Sequence, residues 1–116
     1  MPGKCVRGSV ISVNLDPTVG HEQAKTRPCV VIQNDVGNQY SPTTIVAVIT
    51  GAENVKKAFP VNVPIPNGEG GLTKESVVLC AQIRTIDEVR LGRIYGQLSP
   101  STMRKIDTAL RISLQL

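Results

Sequence analysis

The chain has very few aromatic residues. It contains two tyrosines, one phenylalanine and no tryptophan among 116 residues. The core must therefore be built from Val, Ile and Leu, and a nucleic-acid contact cannot depend on a broad stacking surface. Apolar runs long enough to span a membrane are also missing, and residues 1–7 lack the apolar stretch of a signal peptide. We therefore expect a cytoplasmic protein that does not associate with membranes.

Cysteine and histidine are too sparse and too scattered to predict a metal site. The three cysteines, Cys5, Cys29 and Cys80, stand far apart, and no spacing typical of zinc ligands occurs. Cys29 and Cys80 lie within apolar runs, where a free thiol usually acts as a small hydrophobe. The chain also lacks an HExxH motif, a P-loop and the spacing of a serine or cysteine hydrolase. The sequence thus predicts no metal and no cofactor, and catalysis would use Arg, Thr, Glu, Gln or His side chains.

Length and charge set broad limits on architecture and ligand. The 116 residues suffice for one domain with a modest core, which we expect to span residues 1–116. Apolar residues make up 41% of the chain and charged residues 19%, which is ordinary for a globular protein. The net charge of +4 is a mild positive bias, compatible with a phosphate-bearing ligand but far from a basic tail.

Short segments rich in Val, Ile and Thr, bounded by Gly, Pro, Asn or Ser, dominate the pattern. They predict six strands at residues 6–14, 28–34, 43–50, 61–65, 76–82 and 93–98. No long helices lie between them, which favours a compact antiparallel barrel or sandwich over a parallel sheet. The fold class predicted is mainly β, with short helices.

Two helical signals come late in the chain. The residues from Thr85 to Glu88 resemble a weak capping box that opens a single turn ending at Gly92. The stronger signal is Ser99 as N-cap followed by Pro100, with Leu98 and Met103 at the positions of a hydrophobic staple. An apolar stripe then predicts a helix that packs on the sheet or on a partner subunit: Met103, Ile106, Leu110 and Leu114.

Surface loops are expected between these elements. Residues 35–42, 51–60 and 66–74 carry Gly, Asn and Pro, which favour turns. The glycine-rich segment 68–71 does not follow a strand and open a helix, so it is expected to be a flexible loop rather than a phosphate-binding one. Arg84 and Asp87 are expected to form an ion pair or a turn cap, and Asn34 and Asp35 to begin a turn.

The polar segment 19–28 contains the only histidine together with a carboxylate, an amide and Arg27. Pro28 fixes its own φ and biases Arg27 towards an extended conformation, so the guanidinium leaves the loop in a defined direction. One anchored arginine at the exit of a polar loop suits the capture of a phosphate or a carboxylate. A surface hairpin with an incidental arginine is the alternative.

One reaction that needs no metal fits these side chains: cleavage of RNA by its own 2′-hydroxyl. Because the nucleophile belongs to the substrate, the protein need only position the phosphate, stabilise its charge and assist proton transfer. An arginine suits the charge because it stays protonated and presents a fork of donors to phosphate oxygens. Thr50, which closes a predicted strand just before Gly51, has a hydroxyl that can donate to the same phosphate.

A series of short motifs, in this order and spacing, resembles the MazF/PemK/Kid toxins of type II toxin–antitoxin systems. The motifs are Arg7-Gly8, Asp16-Pro17-Thr18, Gly20-x-Glu22-Gln23, Thr26-Arg27-Pro28, Ile32-Gln33-Asn34-Asp35, Ser41-Pro42-Thr43, Ile49-Thr50, Gln82-Ile83-Arg84-Thr85-Ile86-Asp87, Arg90-Leu91-Gly92, Leu98-Ser99-Pro100 and Ala109-Leu110-Arg111-Ile112-Ser113-Leu114. Each motif is weak alone, but together they cover nearly the whole chain. Departures include Ser9 and Ile11, where an aspartate and an aromatic residue are common, and Ala81, where an acidic residue often stands.

The resemblance implies a small SH3-like antiparallel β-barrel with a C-terminal helix, assembled as a homodimer. It implies a sequence-specific, metal-independent endoribonuclease (an mRNA interferase) that cleaves single-stranded RNA to 2′,3′-cyclic phosphate and 5′-hydroxyl ends and so inhibits translation and growth. It also implies a cognate MazE-like antitoxin, whose disordered tail folds across the RNA groove.

The resemblance assigns the catalytic pair to Arg27 and Thr50. Arg27 would contact the scissile phosphate and take part in proton transfer, while Thr50 would fix the geometry of the phosphate. Further substrate contacts are expected along the polar loop and at one later glutamine, namely at Gly20, His21, Glu22, Gln23, Lys25, Thr26 and Gln82. His21 stands where serine is common; it could act as a base, although a contact to an RNA base is the favoured interpretation.

A second function remains open at this point. The gyrase-poisoning CcdB-type toxins use the same barrel as non-catalytic inhibitors that act through a protein interface. The Thr-Arg-Pro element together with Ile49-Thr50 favours the nuclease.

Overall fold

A computed structural model describes residues 5–16 and 25–116. Six strands follow in chain order: β1 (Ser9–Asn14), β2 (Thr26–Val31), β3 (Thr43–Gly51), β4 (Asn62–Ile65), β5 (Ser76–Asp87) and β6 (Leu91–Gln97). Two α-helices are present in these ranges, α1 (Asp35–Tyr40) and α2 (Pro100–Leu114). Single 3₁₀ turns lie at Ala52–Asn54, Glu69–Gly71 and Glu88–Arg90.

The strands form one antiparallel sheet in the order β4-β5-β3-β2-β1-β6. This confirms the predicted mainly β fold with a C-terminal helix. Strands β4 and β6 stand at the two edges, and no pairing between them closes the sheet within residues 5–16 and 25–116. The sheet instead carries an apolar cluster against each face, which is compatible with a barrel-like shape.

The central strands are apolar on both faces, which explains their continuous Val and Ile runs. In β2, Cys29 and Val31 belong to one cluster, whereas Val30 belongs to the other. In β3, Val46 and Val48 likewise alternate with Ala47 and Ile49 between the two clusters. Cys29 and Cys80 are fully buried free thiols, as predicted for small core residues.

Strand β5 bends in the middle of the sheet. Val48 of β3 pairs with Leu79, but the preceding residue Ala47 pairs with Ile83. Residues 80–82 of β5 therefore lie between two pairs that are adjacent on β3, and they form a bulge. Bulges of this kind increase the local twist and redirect side chains, and they are common beside active sites.

Helix α2 begins as its sequence predicts. The Ser99 hydroxyl accepts a hydrogen bond of 3.2 Å from the Thr102 backbone N–H, and Pro100 occupies the first turn. Leu98 and Met103 both join the apolar cluster under this helix, as a hydrophobic staple requires. The predicted stripe is only partly correct, because Leu114 at the end of the helix is 49% exposed.

Glu69 closes the N-terminus of α2 from another part of the chain. Its carboxylate accepts a 2.6 Å hydrogen bond from the Ser99 backbone N–H and bonds of 2.9 and 3.0 Å from the Thr102 hydroxyl. The segment 68–71 is therefore not the flexible loop predicted. Gly70 is buried, and a Cβ at Gly71 would overlap the Tyr95 carbonyl oxygen, so glycine permits this close packing.

Two further predictions of local structure were wrong. Residues 35–40 form helix α1 rather than a loop, since the Asn34 side chain caps it by accepting from Gly37 N–H at 2.8 Å. Thr85 does not open a turn, because β5 continues through it to Asp87. Asp87 is the N-cap instead and accepts from Val89 N–H at 3.0 Å, which confirms its predicted capping role.

Arginine side chains donate to backbone carbonyl groups of distant segments, as Arg84 and Arg7 show. Arg84 does not pair with Asp87 among the described residues but donates a 2.8 Å hydrogen bond to the Leu15 carbonyl. Arg7 donates through Nε to the Ile32 carbonyl at 2.8 Å, and its Nη2 forms a 2.6 Å ion pair with Asp107 of α2. The start of β1 is thus tied both to the end of β2 and to the C-terminal helix.

Replacement of Glu69 by glutamine should lower stability in a pH-dependent way. Partial desolvation acts to raise the pKa of Glu69, but the hydrogen bonds from Ser99 and Thr102 and the charge of Lys105 together hold it below the usual 4.5. The ionised carboxylate therefore stabilises the fold above pH 4.5 and loses this effect as pH falls through the lowered pKa. We expect Glu69→Gln to cost up to about 1 kcal/mol at pH 7 in urea unfolding, and less at an acid pH, where the carboxyl becomes protonated as pH falls through its lowered pKa.

Glu75→Gln provides the control, since it removes one exposed carboxylate elsewhere on the surface. A loss of stability in Glu69→Gln that is the same at both pH values would contradict the electrostatic cap.

Candidate functional site

Arg27 and Thr50 come together because of how β2 pairs with β3. The register joins Cys29 to Val48 and Val31 to Val46. If this register is continued by two residues from the Cys29–Val48 pair, Arg27 lies opposite Thr50. Both residues line one cleft of about 330 Å³, which we call the arginine cleft. Its lining also includes Gly71, Thr73, Lys74, Ser76, Arg93 and Tyr95.

The Arg27 guanidinium lines this cleft, and one of its donors has no partner in the described part of the chain. Arg27 is half-buried, and its Nε is buried without a hydrogen-bond partner among the described residues. A buried donor left without a partner costs free energy, commonly about 1–3 kcal/mol. An anionic oxygen in the cleft would satisfy this donor, so the site is prepared for a ligand that accepts hydrogen bonds.

The Thr50 hydroxyl is held by Asn54, a residue that was not predicted from the sequence. Its hydroxyl oxygen accepts a 3.0 Å hydrogen bond from the side-chain amide of Asn54, and the residue is only 3% exposed. Since the oxygen accepts from Asn54, the hydroxyl proton can be donated to a ligand. Asn54 lies on the 3₁₀ turn Ala52–Asn54 directly after β3, four residues beyond Thr50. The four-residue spacing between Thr50 and Asn54 is the sequence feature from which this contact could have been predicted.

The rim of the arginine cleft is cationic. Lys74 and Arg93 line it together with Arg27, and no carboxylate does so in the part of the chain that is described. Lys74 forms a 3.0 Å ion pair with Glu53, and this hydrogen bond lowers the pKa of the Glu53 carboxyl. The Arg93 guanidinium lies 5.2 Å from the centre of the Tyr95 ring. These residues were not predicted, because they come from segments far from Arg27 in the chain.

Gln82 lies in a second pocket that shares Thr50 with the arginine cleft. We call this space the amide pocket; it measures about 440 Å³. Besides Thr50, its lining includes Asn54, Lys56, Lys57, Phe59, Asn62 and Gln82. The bulge in β5 brings Gln82 here, since the three residues of β5 before Ile83 face only one step of β3.

The remaining predicted contacts divide into two groups. Lys25 and Thr26 are exposed at the start of β2 and do not line the arginine cleft. Lys25 has a positive φ of 66° and donates its backbone N–H to Asp16 at 2.8 Å, so the end of the polar loop is anchored. Gly20, His21, Glu22 and Gln23 lie outside the described residues.

Neither a metal nor a membrane is indicated by the described residues. No group of three or more His, Cys, Asp or Glu side chains in residues 5–16 and 25–116 is arranged to hold a metal ion. Within the same ranges, no helix is both long and apolar enough to cross a lipid bilayer.

The buried thiols do not resemble nucleophiles. Burial raises the pKa of Cys29 to about 12, against smaller opposing effects of a backbone hydrogen bond and of Arg84. Burial also raises the pKa of Cys80 to about 11. Both side chains are therefore neutral near pH 7, whereas a reactive cysteine needs a lowered pKa and access to solvent.

Comparison with known proteins places this geometry in a family. A family model described as "PemK-like, MazF-like toxin of type II toxin-antitoxin system" matches residues 6–114. An endoribonuclease from a Mycobacterial species, solved in complex with its cognate antitoxin, is 25% identical, with a TM-score of 0.80 over 97% of this chain and 96% of that chain.

Two further solved structures have the same fold. The Mycobacterium tuberculosis toxin MazF-mt6 is 25% identical, with a TM-score of 0.74 over 92% of this chain and 97% of that chain. MazF from Deinococcus radiodurans is 22% identical, with a TM-score of 0.83 over 98% of this chain and 99% of that chain.

Cys29 and Cys80 should resist alkylation in the folded protein. At pH 8 a thiol with a pKa of about 12 has a thiolate fraction about a thousandfold below that of an ordinary cysteine with a pKa of 9.0. Brief iodoacetamide treatment followed by peptide mass spectrometry should leave both residues unmodified in buffer and modify both in 6 M guanidinium, the usual strongly denaturing range. Rapid labelling of Cys29 in the folded protein would show that β2 opens readily.

Proposed function

We propose that this chain, which belongs to the PemK-like and MazF-like toxins of type II toxin–antitoxin systems, is a sequence-specific endoribonuclease that cleaves single-stranded RNA. The observation that carries the proposal is the arginine cleft. There Arg27, whose buried Nε has no hydrogen-bond partner among the described residues, lies with Thr50 and two further cations, Lys74 and Arg93. The likeness to a named endoribonuclease over nearly the whole of both chains supports it.

The proposed reaction uses the 2′-hydroxyl of the RNA as nucleophile. Its oxygen forms a bond to the adjacent phosphorus while the bond from phosphorus to the 5′-oxygen of the next nucleotide breaks. The 2′-hydroxyl loses its proton and the leaving 5′-oxygen gains one, which gives a 2′,3′-cyclic phosphate and a 5′-hydroxyl. No step requires a metal ion or a cofactor.

Arg27 and Thr50 divide the work on the phosphate. The guanidinium of Arg27 stabilises the negative charge that increases on the non-bridging oxygens, and it takes part in proton transfer. The Thr50 hydroxyl donates to a phosphate oxygen, and its direction is set by the hydrogen bond from Asn54. Lys74 and Arg93 raise the local concentration of the polyanion around the cleft.

The expected substrate contacts complete the proposal. Lys25 and Thr26 precede Arg27 at the start of β2, and Gln82 lies in the amide pocket beside Thr50. The loop residues assigned to the substrate by resemblance are Gly20, His21, Glu22 and Gln23. Cleavage of mRNA by this single domain in the cytoplasm would inhibit translation and growth.

Arg27→Ala should reduce cleavage by about a thousandfold or more, because it removes both a charge and the positioning of the phosphate. Arg27→Lys should remain strongly impaired, since lysine keeps the charge but lacks the fork of donors. Thr50→Val, which has nearly the same shape, should lose about ten- to a hundredfold. Rates are measured on a long single-stranded RNA with a chelator present, and circular dichroism checks the fold.

Full activity of Arg27→Ala would remove Arg27 from its role. If the unmodified chain cleaves no RNA of any sequence, the nuclease proposal fails, and an inhibitor acting through a protein interface becomes the better explanation.

The chain is proposed to act as a homodimer that a MazE-like antitoxin neutralises. A structure of a relative with its cognate antitoxin supports the second part. In light scattering, the chain alone should have about twice its 12.4 kDa mass, and a saturating antitoxin should raise the mass and suppress cleavage. A monomeric active enzyme, or equal cleavage with the antitoxin bound, would contradict the respective assembly.

A further inference from the structure

Lys74 on the wall of the arginine cleft is held by an ion pair with Glu53. The Lys74 Nζ lies 3.0 Å from Glu53 Oε1, and the two side chains are 67% and 61% exposed. An ion pair this exposed adds little to stability, because water screens both charges. The pair does, however, restrict a long side chain that would otherwise turn freely in solvent, and it does so where that side chain lines the cleft.

The Glu53 carboxylate occupies the space beside the backbone of Gly51. A Cβ built on Gly51 would overlap both oxygens of that carboxylate. Gly51 has φ −64° and ψ 145°, which any residue adopts, so its conformation does not require glycine. Glycine at this position instead leaves the room that the Glu53 side chain fills.

One turn supports both Thr50 and Lys74. Glu53 and Asn54 are consecutive residues of the 3₁₀ turn that follows β3. Asn54 donates its side-chain amide to the Thr50 hydroxyl at 3.0 Å, while Glu53 accepts from Lys74 at 3.0 Å. The same short segment therefore directs a hydroxyl and an ammonium group at the arginine cleft.

Backbone contacts fix the start of the Lys74 side chain beside the end of β3. The Ala52 N–H donates to the Glu75 carbonyl at 3.0 Å, and the Ser76 hydroxyl donates to the Lys74 carbonyl at 3.0 Å. Gly51, the last residue of β3, pairs with Ser76 at the start of β5. The turn and the segment that carries Lys74 are thus joined independently of the ion pair.

We propose that Lys74 is a second phosphate-binding cation of the arginine cleft and that Glu53 is the positioning residue that directs it. A lysine ammonium has three N–H donors, so it can keep its bond to Glu53 and also donate to a phosphate oxygen. On the phosphate held by Arg27 and Thr50, this contact would stabilise the negative charge that increases during cleavage. The inference rests on the proposed ribonuclease function and adds a residue to it.

The test of Lys74 measures kcat and KM on a single-stranded RNA that contains a mapped cleavage site. Lys74→Met should lower kcat about tenfold or more. Lys74→Arg should recover most of the rate, because arginine also donates to phosphate. The loss should persist between about 50 mM and about 200 mM salt, since screening weakens long-range attraction more than a direct contact. Arg104→Met is the matched control, which removes one exposed cation from α2 and should leave kcat unchanged.

The test of Glu53 uses pairs of substitutions. Glu53→Ala should lower kcat about threefold, because it releases Lys74. Gly51→Ala should have a similar effect, since the added Cβ displaces the Glu53 carboxylate. Gly51→Ala should cost nothing further when Glu53 is already alanine, and Glu53→Ala should cost nothing further when Lys74 is already methionine. Circular dichroism and thermal unfolding check that each variant is folded.

The outcomes separate this inference from the proposed function. If the unmodified chain cleaves RNA and Lys74→Met has the same kcat, Lys74 does not contact the phosphate, and the nuclease proposal stands alone. A loss that disappears at the higher salt would also overturn the inference, because it would reflect general attraction of the polyanion. A faster Glu53→Ala variant would show that Glu53 neutralises Lys74 rather than positions it. If the unmodified chain cleaves nothing, both proposals fall.

Discussion

The register between β2 and β3 is the constraint on which the candidate site depends. A shift by one residue would move every side chain of β2 to the other face and separate Arg27 from Thr50. In many sheets an alternating apolar pattern prevents such a shift. Here it cannot, because Cys29, Val30 and Val31 are all fully buried, and either face would accept them.

Polar contacts at the strand ends fix the register instead. Just beyond β2, Ile32 N–H donates to the Ile45 carbonyl of β3 at 2.9 Å, and Gln33 N–H donates to the same carbonyl at 3.2 Å. The Gln33 side-chain amide adds a 3.1 Å bond to the Thr43 carbonyl at the start of β3. Each contact satisfies a specific backbone group, and a shifted strand would leave several of them unpaired, at a cost that buried polar groups seldom bear.

The arginine cleft combines residues whose positions were predictable with others that were not. Thr26-Arg27-Pro28 and Thr50 stand at strand ends that the Val and Ile runs predict, and Ser99-Pro100 correctly marks the start of α2. Lys74, Arg93 and Tyr95 reach the cleft through the long-range packing of Gly71 against Tyr95, which no local pattern encodes. The bulge in β5 also depends on strand pairing, since residues 80–82 belong to a segment whose sequence predicts one continuous strand.

Segments rich in Gly and Asn were the least predictable. Composition predicts loops at residues 35–42 and 68–71, yet side chains that cap backbone N–H groups order both segments. For α1 the cap is local, from Asn34 to Gly37. For Glu69 the partners, Ser99 and Thr102, lie thirty or more residues away, so sequence spacing carries no signal.

The Glu69 carboxylate connects the wall of the arginine cleft to the start of α2 through its hydrogen bonds from Ser99 and Thr102. Gly71 to Lys74 line that wall, and Glu69, two residues before Gly71, accepts hydrogen bonds from the N-terminus of the helix. Thermodynamic reciprocity then requires that whatever orders the wall also stabilises the helix, and that whatever loosens the helix weakens binding in the cleft. Natural variation on the outer surface of α2 would thus change the candidate site without altering any residue that lines the arginine cleft.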